Sequence, residues 1–118
     1  MNNIEDNLQQ DCVIWFNNNY CLKFQNPQYC IFSVPNGGLR TKTEAKRLKQ
    51  TGLKAGVSDL IIVLDSKVLF CELKTEIGTQ SDDQKEFEKI VTELNHKYYL
   101  IRNLEQFKEM IYNETNRL

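Results

Sequence analysis

Apolar residues at Ile4, Leu8, Cys12, Trp15 and Phe16 recur at helical spacing. They predict an amphipathic helix over residues 4–18, ended by Asn17-Asn18-Asn19. The pattern then changes. Tyr29 to Val34 reads as a strand, stopped by Pro35. Thr41 followed by Glu44 has the form of a capping box and starts a helix that runs to Gln50 and stops at Gly52. From Leu60 to Lys74 the chain is strand-like, broken only by Asp65, Ser66 and Lys67. Ser81 opens a helix to about Asn95 with Phe87, Ile90, Val91 and Leu94 as its buried positions. Tyr98 to Ile101 is a further strand, and Asn103 caps a last helix through about Tyr112. The order α-β-α-β-β-α-β-α predicts an α/β fold, a mixed sheet with helices on both faces.

The strand pair at residues 60–74 carries charge where strands rarely do. A tight turn at Asp65-Ser66 pairs Leu64 with Lys67, and the same register sets Asp59 opposite Glu72. Directly opposed residues point to one face, with β-carbons about 5 Å apart. Two carboxylates that close repel unless positive charge lies between them. A divalent metal meets that need, because hard cations prefer carboxylate and water oxygens. Glu72 and Lys74 share a face by the strand's period of two, with Val68 and Phe70 further back. Cys71 and Leu73 lie on the other face, so both are largely apolar, as in a strand covered on both sides. The plainer alternative is an Asp–Lys–Glu salt-bridge network on a solvated face. The placement is otherwise that of a metal-dependent phosphodiesterase centre.

Composition adds bounds. The 118 residues, 41% of them hydrophobic, suit one domain over 1–118 with a real core. No apolar run approaches a membrane span, and Met1-Asn2-Asn3 does not open a signal peptide, so a cytoplasmic protein is expected. Cys12, Cys21, Cys30 and Cys71 form no Cys-x-x-Cys pair and there is one His, a pattern against a zinc site. Cys12 and Cys71 read as reduced core residues. His96, at a helix end, reads as a cap or surface residue. The net charge is −1, which argues against indiscriminate nucleic-acid binding. Locally, however, Arg40, Lys42, Lys46, Arg47, Lys49 and Lys54 form a basic run with Glu44 its one acid. Such a stripe can hold phosphates, although a solvated helix face explains it as well.

Taken together, N36-G37-G38-x-R40, the helix K46-R47-L48-K49-x-x-G52, G56-V57-S58-D59-L60, E72-L73-K74 and S81-x-x-Q84 resemble the virus-type replication-repair nuclease (VRR-NUC) domain of the PD-(D/E)XK nuclease superfamily. The resemblance runs from Glu5 to about Ile111. Ser58 stands where the superfamily has proline. The resemblance implies a restriction-endonuclease-like core and a Mg2+- or Mn2+-dependent endonuclease acting on DNA. It implies that Asp59, Glu72 and the Leu73 backbone carbonyl hold the metal. Lys74 would polarise the attacking water and stabilise the phosphorane-like transition state. Gln84 would hydrogen-bond near the water or Lys74, although Ser81-x-x-Gln84 is also a good capping box. Glu5 would reach the metal through water or help hold a second ion, although a first-turn acid needs no such role. Arg40, Lys42, Lys46 and Lys49 would contact the DNA backbone. Gly37 and Gly38 would let it approach closely, or simply make a turn.

Small stand-alone viral members of that family look like homodimers that cut four-way (Holliday) junctions. Branched or junction DNA and a second copy of the chain are therefore the expected partners, for a phage- or prophage-encoded protein acting in the host cell. Ile4, Trp15, Phe16, Tyr20, Phe24, Tyr98 and Tyr99 exceed what one small core obviously needs, so some are candidates for the interface. The alternatives are a flap-cutting or nicking enzyme of the same fold, or a non-catalytic DNA-binding protein that keeps the site.

Overall fold

The computed structural model describes residues 4–35 and 41–115. Asn36, Gly37, Gly38 and Arg40 lie outside the described residues. The elements are α1 (Ile4–Tyr20), β1 (Cys30–Ser33), α2 (Lys42–Gln50), β2 (Leu60–Leu64), β3 (Lys67–Leu73), α3 (Asp82–Glu93), β4 (Lys97–Ile101) and α4 (Leu104–Thr115). The sheet order is β1-β2-β3-β4. β1, β2 and β3 pair antiparallel in sequence, and β4 returns parallel to β3 after the α3 crossover. This is the expected mixed sheet. Among the described residues, no helix is long and apolar enough to cross a membrane.

The hairpin turns as the pattern requires. Leu64 pairs with Lys67, and Ser66 takes φ 56, a left-handed turn conformation. The period of two then sorts the faces. Leu60, Ile62, Leu69, Cys71 and Leu73 are buried with Cys12 and Phe16 of α1 and Phe107 and Ile111 of α4 in one core. On the other face Phe70 meets Phe87 of α3 edge-on, with ring centroids 5.5 Å apart. Burial pushes the Cys12 thiol up to about 12, with a smaller contribution from Asp11, so it stays protonated and unreactive.

Two helix ends are closed by one device. After α2, Gly52 (φ 111) lets its own N–H reach the Lys49 carbonyl at 3.2 Å, while the Leu53 N–H reaches Leu48 at 2.8 Å. After α3, Asn95 (φ 68) does the same, with Asn95 to Thr92 at 3.0 Å and His96 to Val91 at 2.9 Å. Both are Schellman caps, and asparagine is the residue other than glycine that best tolerates the position. His96 is accordingly exposed at a helix end, its ring against Phe70. At the start of α2, Thr41 caps the Glu44 N–H, but the Glu44 carboxylate accepts from the Thr41 hydroxyl.

Several expectations change. Phe16 and Tyr20 are core residues, because α1 packs on the sheet beside α4 and its aromatic face closes on Phe107. They leave the list of interface candidates, whereas Phe24 is 82% exposed. Leu94 is 63% exposed, because it is the C-cap and points past the buried stripe of α3. α2 buries none of its residues.

Phe16→Ala should cost about 3–5 kcal/mol of unfolding free energy, through lost burial and the cavity left among Tyr20 and Phe107. Urea unfolding measures it. A loss below about 1 kcal/mol would contradict a core placement.

Candidate active site

Glu72 is fully buried on β3, between β2 and β4. Extending the Leu60↔Cys71 pairing by one residue places Asp59 opposite it, just before β2 begins. The Asp59 main chain still belongs to the sheet, since the Val34 N–H donates to its carbonyl at 3.0 Å. Its side chain is held as well. Asp59 Oδ2 accepts from the Leu73 N–H at 2.8 Å, which fixes the carboxyl across the hairpin beside Glu72. The two acids expected to meet are thus brought together, at the carboxyl end of the parallel β3–β4 pair. Open α/β sheets bind ligands at that end.

Burial raises the Glu72 pKa from 4.5 to about 8, assisted next by the Asp59 charge and by hydrogen bonding to Asp59. Lys74 pulls the other way and Glu5 adds a smaller upward push. Lys74 Nζ lies 4.0 Å from Glu72 Oε2, with its side chain 14% exposed. The contact is at the outer limit of an ion pair and is enclosed, whereas the salt-bridge alternative placed it on a solvated face.

Gln84 serves two roles at once. Its carbonyl oxygen accepts from the Ser81 N–H at 2.9 Å while Ser81 Oγ accepts from the Gln84 N–H at 3.2 Å, a complete capping box. The cap fixes the amide's orientation, so its NH2 points into the site and donates to Glu72 Oε2 at 2.9 Å. The helix cap and the site residue are one interaction. Gly56 makes this possible. With φ +84, a Cβ there would lie 2.2 Å from the Asp83 carbonyl oxygen, so only glycine lets the loop before Asp59 touch the first turn of α3.

Glu72 Oε1 is buried and no donor reaches it. An orphan carboxylate oxygen beside a second carboxylate is what a hard cation would satisfy. The donors at hand are Asp59, Glu72 and the Leu73 carbonyl, all oxygens, so the residues fit Mg2+ or Mn2+. No group of three or more His, Cys, Asp or Glu side chains forms among the described residues. Glu5 is not grouped with Asp59 and Glu72 among them. It stands on the first turn of α1, on the rim of a cleft that also contains Lys74, Glu76 and Arg102.

A second cleft, of about 350 Å3, opens on the other side of Asp59 and is lined by Lys49, Lys54, Gly56, Ser81 and Gln84, among others. Of the basic stripe, Lys49 reaches this cleft, whereas Lys42 and Lys46 stay exposed on α2. Lys54, the last residue of the basic run, reaches it too. Arg102, by contrast, was missed. It follows β4, and its Nη1 donates to the carbonyls of Thr75 at 2.6 Å and Gly78 at 2.7 Å, with Glu76 at 3.3 Å.

No family model and no curated protein matches the chain in sequence. A solved structure of a VRR_NUC domain protein matches it in three dimensions with TM-score 0.69 and 22% identity, over 92% of this chain and 85% of that one. The two share a fold. The VRR_NUC fold extends over nearly all of the chain. The restriction-endonuclease-like α/β class expected from the motifs is therefore the one observed.

The Glu72 shift has a definite sign. Below pH 4.5 the carboxyl is protonated folded or unfolded, and stability is unaffected. Between 4.5 and about 8 the unfolded chain ionises while the folded site resists, so stability falls as pH rises. The metal-free protein should lose melting temperature across this window. Glu72→Gln should flatten the loss, and Mg2+ should restore the parent but not the variant. Thermal melts at a series of pH values check this; parallel profiles for parent and Glu72→Gln would contradict it.

Proposed function

We propose that the chain is a Mg2+- or Mn2+-dependent, structure-specific DNA endonuclease that resolves four-way junctions as a homodimer. The observation that carries the reading is the buried Asp59–Glu72 pair with an orphan Glu72 Oε1 and Lys74 beside it, on the VRR_NUC fold. Asp59, Glu72 and the Leu73 carbonyl hold the ion, and Glu5 acts on it only from the rim, through water. Bound there, a divalent ion neutralises phosphate charge and makes water more acidic.

The chain's own residues do the rest. Gln84 Nε2 holds Glu72 Oε2, which leaves Oε1 turned inward to a ligand. The Leu73 N–H holds one oxygen of Asp59 and leaves the other available. Lys74 is too far from Glu72 for a tight ion pair, so its ammonium can donate to a phosphate oxygen as charge builds in the transition state. Water attacks phosphorus, and the P–O bond to the leaving sugar oxygen breaks. Lys49 and Lys54 receive a neighbouring phosphate in their cleft. Lys42, Lys46 and Arg40, with Gly37 and Gly38, extend the contact along the backbone. The reading places the protein in the host-cell cytoplasm, encoded by a phage or prophage.

Homodimerisation is supported by apolar surface that the monomer leaves open. On the α3 side of the sheet, Phe32 is 48% and Val63 37% exposed, beside the β1 edge. A twofold pair supplies two cuts to a junction with two opposed strands.

Asp59→Ala should abolish Mg2+ binding by titration calorimetry and all cleavage. Lys74→Ala should fold and bind DNA normally, yet lose about 100-fold or more in single-turnover rate, because Lys74 acts in the transition state. Near-parental turnover in Lys74→Ala would leave Lys74 a structural role only.

The quaternary part is tested separately. Sedimentation at micromolar protein should give twice the 13.9 kDa chain mass. A junction extruded in a supercoiled plasmid should be linearised within one binding event. A monomer mass with accumulating nicked circles would point instead to a nickase.

A further inference from the structure

Ile77 is 92% exposed, the most exposed large apolar side chain among the described residues. It sits three positions after Lys74, on the segment that leaves the carboxyl end of β3. Exposed loop tips are ordinarily polar and mobile. This one carries a bare isoleucine at its end, and its main chain is tied down.

Arg102 pins the turn from beneath by donating to the carbonyls of Thr75, Glu76 and Gly78. The Gly78 N–H closes the same turn onto the Thr75 carbonyl at 3.2 Å. The turn also packs on the Lys74 stem, since a Cβ at Gly78 would lie 3.5 Å from Lys74 Cδ. Every main-chain anchor faces inward and the Ile77 side chain faces out. A β-branched apolar group on a pinned main chain is therefore held in water beside the candidate active site, so that contact would order little beyond its own side chain.

We propose that Ile77 is a wedge that inserts between bases next to the cut phosphate and unstacks them; the inference rests on the nuclease reading above. Apolar side chains used in this way partly unstack a base step and kink the duplex. The reach is right. Three residues span at most about 11 Å of main chain, and Gly78, next to Ile77, packs on the Lys74 stem, so Ile77 stands within a few base steps of a phosphate held at Lys74. The isolation of Ile77 is also right for a base step and wrong for a protein interface. Its neighbours Glu76, Gly78 and Thr79 offer no apolar patch, whereas an interface core needs several such residues together. A wedge of this kind would favour branched DNA, where stacking is already interrupted and insertion meets less resistance.

The test uses the full chain and a synthetic four-way junction carrying 2-aminopurine on either side of the cut position, with Ca2+ replacing Mg2+ to allow binding without turnover. The parent should raise the fluorescence, and Ile77→Leu should do so as well. Ile77→Ser should bind but leave the fluorescence at the free-DNA level, and in Mg2+ should cut about tenfold or more slowly. As a surface change, it should leave the fold and the sedimenting mass intact. Parental fluorescence and rate in Ile77→Ser would overturn the wedge. A fall to half the parental mass would also overturn it, by making Ile77 a subunit contact. A parent that cuts without any fluorescence rise removes the wedge and leaves the nuclease reading standing. A parent that neither binds nor cuts DNA removes both.

Discussion

Two carboxyl groups forced together at a buried sheet end are the constraint around which this small protein is arranged. Burying one ionised carboxylate without compensation is expensive, and placing a second beside it makes matters worse. The fold nevertheless fixes both. β3 is an interior strand, so Glu72 cannot turn to solvent without breaking the sheet. The Leu73 N–H holds Asp59 in place. The Gln84 amide, locked by its own capping box, holds Glu72 from above. Each restraint removes a way for the acids to separate. Without a cation the pair escapes that cost only by keeping Glu72 protonated well above the usual carboxylate range, and a divalent ion there would let both groups ionise.

The pair was legible in the sequence because a hairpin with a two-residue turn has only one sensible register. Once Leu64 is paired with Lys67, the period of two carries Asp59 opposite Glu72 with no further assumption. The caps were legible for a similar reason, since Thr41, Ser81, Gly52 and Asn103 act within three or four residues of themselves. What could not be read was long-range. Nothing local says that Arg102 will hold a turn 24 to 27 residues earlier in the chain. Nothing local says that Gly56 must be bare because the Asp83 carbonyl approaches it. Aromatic residues were hardest to place. Phe16 and Phe24 are both apolar and lie eight positions apart, yet one is wholly buried and the other 82% exposed. Only the docking of α1 on α4 decides between them.

Gln84 shows why the choice between a structural and a chemical role can be a false one. Its amide has two ends. One completes a helix cap, and that bond selects which end faces the acid. The capping box positions the functional group, so a pattern that appeared to explain the glutamine away is the reason it points correctly. Gly56 extends the same logic to the backbone. The close approach it allows brings the first turn of α3 over the β2–β3 end, and Gln84 is carried with it.

Charge is distributed unevenly around this centre, and the unevenness bears on how a near-neutral protein could hold a polyanion. On one side the cleft at Asp59 carries Lys49 and Lys54 together with Asp83, backed by the exposed basic face of α2. On the other, Glu5, Asp11 and Glu76 share a cleft with Lys74 and Arg102. The positive charge open to a polyanion is thus concentrated on α2, whereas the cleft beside Lys74 sets Glu5, Asp11 and Glu76 against two bases. Arg102 is one of those bases and keeps its charge, since hydrogen bonds from Nη1 to the neutral Thr75–Gly78 carbonyls do not remove it. A near-neutral chain can therefore present a local basic face, because the net charge sums over regions that one partner need not touch at once.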